Sequence, residues 1–379
     1  MPEVVGPTEP GGGLLEIQGD GTGFLRSYEN SYLAGEGDIY VPGVLVKKHG
    51  LKPGSFIEGQ VAQPRKPNQK PFLAEVEKVD GMDPEERAKL TPFPKLTVVD
   101  PEPQIVLGPG DDDLSLRVID LLSPIGYGQR GLIVAPPRSG KTILLQKISN
   151  AIVERDPDTH LIVLLIDERP EEATGWRRSI KEHGEVLVST LDEGPRNHVR
   201  LSEITLERAH RLVECGQNVV IVLDSITRLA RAYNSENRGG GGILSGGLGA
   251  KVLEKPKKFF GSARNVENGG SLTILGTALV DTGSRMDQVI FEEFKGTGNM
   301  ELVLSRPLAE RRIFPAIDIE LSGTRREELL LPEAILDRVY TLRRVLSKMH
   351  SLDAMPLLLD KLSATSSNAE FLGSFRVTT

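Results

Sequence analysis

Apolar residues follow two different rhythms along this chain. Up to about residue 79 they come in short bursts cut by turn residues. The bursts are Leu14-Leu15-Glu16-Ile17 before Gly19-Asp20-Gly21, Phe24-Leu25-Arg26, Asp38-Ile39-Tyr40-Val41, Ser55-Phe56-Ile57-Glu58-Gly59-Gln60-Val61 and Phe72-Leu73-Ala74-Glu75-Val76. Short strands at this spacing predict a small β-barrel over 14–79. Residues 1–13, rich in Pro and Gly, read as a flexible leader. Residues 80–115, with five prolines from Pro84 to Pro103, read as a linker. From Leu116 the pattern changes. Gly131-Leu-Ile-Val-Ala135 is a buried strand, and Lys141 to Arg155 repeats its apolar residues at helical spacing. Strands at 161–166, 185–190, 219–223, 271–280 and 300–305 alternate with helices at 170–182 and 197–214, and 333–374 reads as helices. Such alternation predicts a largely parallel sheet covered by helices over 116–379.

Composition adds limits. A chain of 379 residues holds two or three domains, and 26 % charged with 39 % hydrophobic residues is ordinary for a packed globular protein. Cys215 is the single cysteine, which rules out an internal disulfide and fits a reducing compartment. The first residues lack the apolar core of a signal peptide, and the longest apolar run, Leu161 to Ile166, is too short to span a bilayer. The expectation is a cytoplasmic protein. A net charge of −7 speaks against a nucleic-acid partner unless a local patch provides for one. Between Val41 and Ala74, Lys47, Lys48, Lys52, Arg65, Lys66 and Lys70 face a single acid, Glu58. Taken alone, that run reads as a solvated basic face.

Chemistry enters at Ala135-Pro136-Pro137-Arg138-Ser139-Gly140-Lys141-Thr142, between a buried strand and a helix. Backbone N–H groups in such a loop, together with the helix N-terminus, cradle phosphates. Lys141 would neutralise the β and γ phosphates of ATP, and the Thr142 hydroxyl would ligate Mg²⁺. The strict phosphate-loop pattern has a glycine where this chain has Ala135. Asp224 ends the apolar run Val219 to Leu223, at the strand edge where open α/β sheets bind ligands, and is the candidate for holding Mg²⁺ through water. Glu168 follows the strand 161–166 and is placed to orient or deprotonate an attacking water. Either acid alone also reads as a cap or ion-pair residue; two acids at two strand ends behind one phosphate loop favour catalysis. Arg306, Arg311, Arg312, Arg325 and Arg326 cluster past the last strands, open to surface ion pairing or to a neighbouring subunit's nucleotide.

Several long segments carry a resemblance. Gly126-Tyr-Gly-Gln-Arg-Gly-Leu-Ile-Val-Ala-Pro-Pro137, Leu165-Ile-Asp-Glu-Arg-Pro-Glu-Glu172, Leu223-Asp-Ser-Ile-Thr-Arg-Leu-Ala-Arg-Ala-Tyr-Asn234, Glu292-Glu-Phe-Lys-Gly-Thr-Gly-Asn-Met300 and Ala309-Glu-Arg-Arg-Ile-Phe-Pro-Ala-Ile-Asp318 resemble the signature segments of the Rho family of bacterial transcription termination factors. That family has Ala at the Ala135 position as well. The resemblance implies an α/β P-loop (RecA-like) ATPase domain preceded by a small β-barrel of OB-fold type. It also implies a homohexameric ring that hydrolyses ATP at subunit interfaces and pulls single-stranded RNA through its centre.

Carried over residue by residue, Gly126, Tyr127, Gly128, Gln129, Arg130, Gly131, Arg138, Ser139, Gly140, Lys141, Thr142, Ile143 and Arg169 match nucleotide-contacting positions. Phe314 matches an aromatic that packs on adenine. Glu168 matches the catalytic carboxylate, Asp224 the Mg²⁺-associated one, and Arg312 and Arg325 the arginines supplied in trans. Phe24, Arg26, Asp38, Tyr40 and Lys70 belong to the expected RNA face of the barrel, with Phe24 open to a core role as well. Arg285 matches a basic residue on the loop that grips RNA in the central channel. RNA polymerase or other transcription factors are the further partners such a protein would meet.

Three departures stand out. Thr22 replaces a second stacking aromatic, Pro71 interrupts a region where another is expected, and Gly242 replaces a common basic residue in the channel loop. Two other readings share parts of the pattern. A rotary ATP-synthase-type subunit has the P-loop core and an N-terminal barrel, and an RNA-binding regulator could carry a vestigial ATPase site. The complete set Lys141, Thr142, Glu168 and Asp224 speaks against the second.

Overall fold

A computed structural model describes residues 7–63, 70–110, 113–180, 184–236, 247, 249 and 251–374. The first rhythm folds into β1 (Thr8–Ile17), β2 (Gly23–Arg26), β3 (Ile39–Val41), β4 (Phe56–Ala62) and β5 (Phe72–Val79). They close a barrel in the order β1-β2-β3-β5-β4, with β4 pairing back onto β1 from Thr8↔Ala62 to Leu14↔Phe56. Leu15, Leu25, Val41, Ile57, Leu73 and Val79 fill its interior. One short helix, α1 (Gly43–His49), sits between β3 and β4 and adds Leu45 and Val46 to that core.

Two composition-based boundaries shift. The barrel starts at Thr8, inside the span read as leader, because Gly11, Gly12 and Gly13 are strand residues at close backbone contacts. A Cβ at these three positions would lie 2.6 Å from Val61 Cγ2, 2.6 Å from the Ile57 oxygen and 2.8 Å from the Arg26 oxygen. Residues 80–110 and 113–115 are equally ordered: α2 (Pro84–Lys89), β6 (Val98–Val99) and β7 (Gln104–Ile105) lie along this stretch. Asp80 takes Arg87 Nε at 2.7 Å and Arg208 Nη1 at 3.0 Å. The fully buried Glu214 takes Arg87 Nη2 at 2.8 Å and the Phe93 amide at 2.8 Å. Buried carboxylates paired on several sides fix this segment to the second domain.

The second rhythm yields α3 (Leu114–Leu122), β8 (Ile125–Gly126), β9 (Arg130–Ala135), α4 (Lys141–Arg155), β10 (His160–Glu168), α5 (Pro170–Ser179), β11 (Gly184–Thr190), α6 (Pro195–Glu214) and β12 (Asn218–Asp224). Then follow α7 (Ile226–Glu236), α8 (Glu254–Phe260), β13 (Arg264–Val266), β14 (Ser271–Leu279), α9 (Arg285–Lys295), β15 (Met300–Val303), α10 (Arg306–Glu310) and β16 (Gly323–Thr324). The helices α11 (Glu333–Leu346), α12 (Ser351–Ser363) and α13 (Asn368–Gly373) complete the described chain. The sheet runs β11-β10-β12-β14-β9-β15-β16, with β13 paired to β14 and β6 paired in turn to β13, and the strands from β11 to β15 lie parallel to their neighbours in that path. Both faces are buried. Along β10, Leu161, Val163 and Leu165 enter one core and Ile162, Leu164 and Ile166 the other, as expected of a strand covered by helices on two sides.

The barrel docks on the sheet edge. Tyr28 Oη accepts the Val186 amide at 3.1 Å, Ser31 Oγ accepts the Val188 amide at 3.1 Å, and Tyr32 Oη donates to Glu185 at 3.1 Å, all on β11. Among the described residues no helix is long and apolar enough to cross a membrane.

Candidate functional site

Parallel pairing aligns the C-terminal ends of β10, β12, β14 and β9. Leu165 stands opposite Asp224, Leu223 opposite Gly276 and Leu279 opposite Ala135. The loop after Ala135 reaches α4 through Gly140, whose φ of +85° suits glycine, and no side chain caps the helix. Its first N–H groups are therefore left to a ligand. Lys141, the first residue of α4, sets Nζ 2.5 Å from both Asp224 oxygens and 4.0 Å from Glu168 Oε1. Thr277 Oγ1 donates to Asp224 from β14 at 2.8 Å. Thr142 follows Lys141 at the helix start, half-buried, and Arg169 follows Glu168 as the residue before α5.

Glu168 is 2 % exposed. Burial first, and then the Asp224 charge, push its carboxyl up to about 7, against the opposing pull of Lys141 and Arg228. Arg228 Nη2 lies 3.5 Å from Glu168 Oε1 and its Nη1 also bonds the Asp167 carbonyl. Glu168 Oε2 and Ser139 Oγ are buried without hydrogen-bond partners among the described residues. The site thus contains unused acceptor and hydroxyl capacity beside a lysine, which is what a phosphate-bearing ligand and its water would engage. Arg228 and Thr277 escaped the sequence reading. Arg228 stands one helical turn beyond Asp224, a spacing that could have found it, whereas only strand pairing reveals Thr277.

Beside the loop lies a cavity of about 430 Å³ lined by Arg138, Gly140, Ile143, Lys147, Arg312 and Phe314. Ile143 is 63 % and Phe314 47 % exposed, so two apolar side chains face solvent at its mouth. The Phe314 ring would meet a Cβ on Gly140 at 3.0 Å. Arg312 is therefore gathered with its own chain's loop. Arg325 is not. It follows β16, where Thr324 pairs with Met300 and Met300 with Gly131, at the opposite end of β9 from the loop. Gly131 to Ala135 is roughly 13 Å of strand. Gly126 to Gly131 share that far end. Tyr127 Oη bonds Asp156, just past the end of α4, and Gln129 Nε2 donates to Asn299 Oδ1 at 2.6 Å. Arg130 Nε donates to the Thr297 carbonyl at 3.2 Å, close enough to Arg325 for the two charges to oppose each other. The nucleotide-type residues of this chain thus fall into two groups at opposite ends of the sheet.

The barrel gathers all five RNA-face candidates. Phe24 and Tyr40 meet edge to face with ring centroids 5.8 Å apart. The Arg26 guanidinium lies 4.9 Å and Lys70 Nζ 5.9 Å from the Phe24 centroid. Asp38 is buried and paired with Arg26, with Lys70 at 3.6 Å. Arg26 is 5 % exposed, so it and Asp38 frame the aromatic face from beneath. The wider basic run divides: Lys52 turns to Glu214 at 3.5 Å, Lys47 and Lys48 end α1, and Arg65 and Lys66 lie outside the described residues. Thr22 Oγ1 donates to Asp20 at 2.7 Å in the turn before β2, and the Pro71 carbonyl accepts the Tyr40 amide at 2.8 Å. Arg285, expected in the central channel and not on this face, is exposed at the start of α9; Gly242 lies outside the described residues.

Comparison with known proteins separates the readings that share this layout. Residues 115–324 match the ATP synthase alpha/beta family, nucleotide-binding domain, which alone would suit either ring ATPase. Residues 11–85 match the Rho termination factor, RNA-binding domain. Transcription termination factor Rho of Pseudomonas aeruginosa is 52 % identical over 97 % of this chain and 88 % of its own length. That of Haemophilus influenzae is 53 % identical over 95 % of this chain and 86 % of its own. The chain belongs to the Rho family. Its RNA-binding match begins inside β1 and ends inside α2, consistent with the earlier barrel start. Among solved structures, a prototypical ATPase from the type III secretion system of pathogenic bacteria superposes with a TM-score of 0.63, covering 83 % of this chain and 93 % of its own at 23 % identity. The assembled ATPase EscN from enteropathogenic E. coli gives 0.62 over 83 % of this chain and 78 % of its own at 22 % identity. At that identity the likeness concerns the fold of this Rho-family chain.

Proposed function

We propose that this chain is an RNA-dependent ATPase and translocase that binds nascent single-stranded RNA and terminates transcription, working in the cytoplasm as a homohexameric ring. One observation carries the reading: a single Rho-family chain joins the Phe24–Tyr40 barrel face to the Lys141–Asp224–Glu168 cluster at the sheet's ligand edge. Bases stack on the aromatics while Lys70 and Arg26 favour the strand's negative charge. ATP places its phosphates on the loop 135–142, and Lys141 leaves Asp224 for the β and γ oxygens. The purine packs between Phe314 and Ile143 at the cavity mouth. The oxygen-only donor set of Thr142 and Asp224 suits Mg²⁺, held by Asp224 through water. When bound, the ion neutralises charge on the phosphates.

Glu168 accepts the proton of the attacking water. A carboxyl raised to about 7 is poised for proton transfer near neutral pH, and Arg228 holds it in orientation. Arg325, far from its own loop, reaches a neighbour's γ-phosphate, and the Gly126 to Gly131 group at the same end faces the same neighbour. RNA polymerase or another transcription factor is the partner at which termination is delivered. The test is the ATPase rate of the purified protein with and without poly(C). Strong stimulation is expected. RNA-independent turnover at full rate would return the rotary-type reading, and no turnover at all the vestigial one.

A further inference from the structure

The barrel's aromatic face and the catalytic carboxylate sit in different domains, yet a line of polar contacts joins them. Arg26, lying over Phe24, donates Nε to Glu16 at 2.7 Å. The same carboxylate takes a guanidinium from the other domain. Arg200 Nε donates to Glu16 Oε1 at 2.5 Å, and its Nη2 bonds Oε2. Arg26 has a second anionic partner in Asp38, whereas Arg200 has Glu16.

Arg200 stands in the second turn of α6, two residues after His198. Two residues rotate a helix by about 200°, so the two side chains leave on opposite faces, one toward the barrel and one toward the sheet. His198 is 4 % exposed; its Nδ1 lies 2.7 Å from Ser189 Oγ and its Nε2 3.9 Å from Asp167 Oδ1. Asp167 precedes Glu168, and the Leu191 amide, just past β11, donates to the Glu168 carbonyl at 3.0 Å. The first turns of α6 are thus gripped by the barrel on one side and touch the segment carrying the catalytic base on the other.

We propose that Glu16 and Arg200 are positioning residues through which RNA on the barrel sets the orientation of Glu168. An RNA phosphate beside Phe24 competes for Arg26, loosens its hold on Glu16 and leaves that carboxylate to Arg200. The α6 N-terminus then shifts with Arg200, and His198 carries the shift to Asp167 and Glu168. The proposal rests on the barrel being the RNA site and Glu168 the base.

The experiment uses the full chain and two readouts. The first is the affinity of a short oligocytidylate RNA of about five nucleotides, close to one OB-fold's site, with and without ADP–beryllium fluoride and Mg²⁺. The second is ATPase rate without RNA and at saturating poly(C). Linkage is reciprocal for binding free energies, and the proposal requires that the site with Glu168 oriented bind ADP–beryllium fluoride more tightly, so nucleotide in turn alters barrel affinity, by about fivefold or more for ordinary coupling. Arg200→Met should reduce that effect to within about twofold and lower the RNA-saturated kcat about five- to tenfold. RNA affinity without nucleotide, half-saturating RNA and RNA-free turnover should stay within about twofold of wild type. Arg200→Lys, which keeps the charge, should retain at least half of the stimulation. Glu16→Asp, with its carboxylate drawn back by one methylene, should give an intermediate loss, and it decides the matter if Arg200→Met does not fold. Full linkage and full kcat in Arg200→Met would overturn the proposal. So would an equal fall in RNA-free and RNA-saturated rates, the mark of a merely structural role, or wild-type stimulation without any nucleotide effect on the short RNA. Wild-type protein that neither binds RNA nor responds to it would overturn the proposed function instead.

Discussion

Glu168→Gln removes one charge and keeps nearly the same shape, so its effects isolate what the buried carboxylate does. The side chain is 2 % exposed, with Arg228 at 3.5 Å and Lys141 at 4.0 Å. Burial and the Asp224 charge raise its carboxyl from an ordinary 4.5 to about 7. Between those values the folded protein holds a proton that the unfolded chain has released. Stability therefore falls as pH rises through this window, and the loss is complete above pH 7. At 1.36 kcal/mol per unit the limit is roughly 3 kcal/mol, and solvent relaxation around the site reduces the expected effect to about 1–2 kcal/mol.

The amide that replaces the carboxyl cannot ionise. The variant should match wild type in stability at pH 5 and exceed it by that amount at pH 8, read from urea denaturation at one protein concentration. Turnover at saturating RNA should fall by about 10²–10⁴, the usual worth of a general base, while ATP binding persists. Wild-type kcat/KM should rise with pH and level off above about 7. An equal stability difference at pH 5 and pH 8 would show that the carboxylate is not destabilised by burial. Near-wild-type turnover of the variant would remove Glu168 from the base role altogether.

Three further outcomes follow from the geometry. Lys141→Ala and Arg325→Ala should each abolish turnover, yet rings mixed from the two should regain some, because a few interfaces then join one intact half from each; no recovery in verified mixed rings counts against a trans arginine. Tyr40→Ala should weaken RNA binding by about one to two powers of ten, from a stacking worth of roughly 1–3 kcal/mol per base, with an unchanged slope against salt because no phosphate contact is lost; normal RNA affinity would remove the barrel face from the primary site. Glu214→Ala leaves Arg87 and Arg211 without the carboxylate they share, and should cost about 3–5 kcal/mol by urea midpoint; a loss below about 1 kcal/mol would mean that Asp80 alone fixes the segment 80–110.

What could be read from the sequence was local, and what could not was set by distant partners. The barrel strands and the strand–helix alternation are visible because burial imposes periods of two and 3.6 on apolar positions. The acids Glu168 and Asp224 are visible because each follows an apolar run. Gly11 to Gly13 look like a flexible leader, since composition says nothing of the backbones that crowd them. The segment after the barrel looks like a tether because its anchors, Asp80 and Glu214, are tied to residues as far away as Arg208 and Arg87. The helix α1 hides in Gly43-Val-Leu-Val, which reads as strand-like. Gly126 to Gly131 and the loop 135–142 are near neighbours in sequence, but β9 runs between them and separates them across the sheet.

That separation gives the edge docking of the barrel its meaning. A strand at the border of a sheet presents unpaired N–H groups that invite pairing with another chain. On β11, Tyr28 and Ser31 of the barrel take the Val186 and Val188 amides, and Glu185 is bonded by Tyr32 and His160. The barrel is thus placed by satisfying the sheet's own border, and the segment 80–110 is bolted down by buried ion pairs. Motion of the RNA face relative to the ATP site then requires breaking specific polar contacts. With Asp167 and Glu168 one strand away at the end of β10 and α6 leading from β11 to the Glu16 contact, displacement of the barrel bears directly on the elements that hold the Glu168 carboxylate.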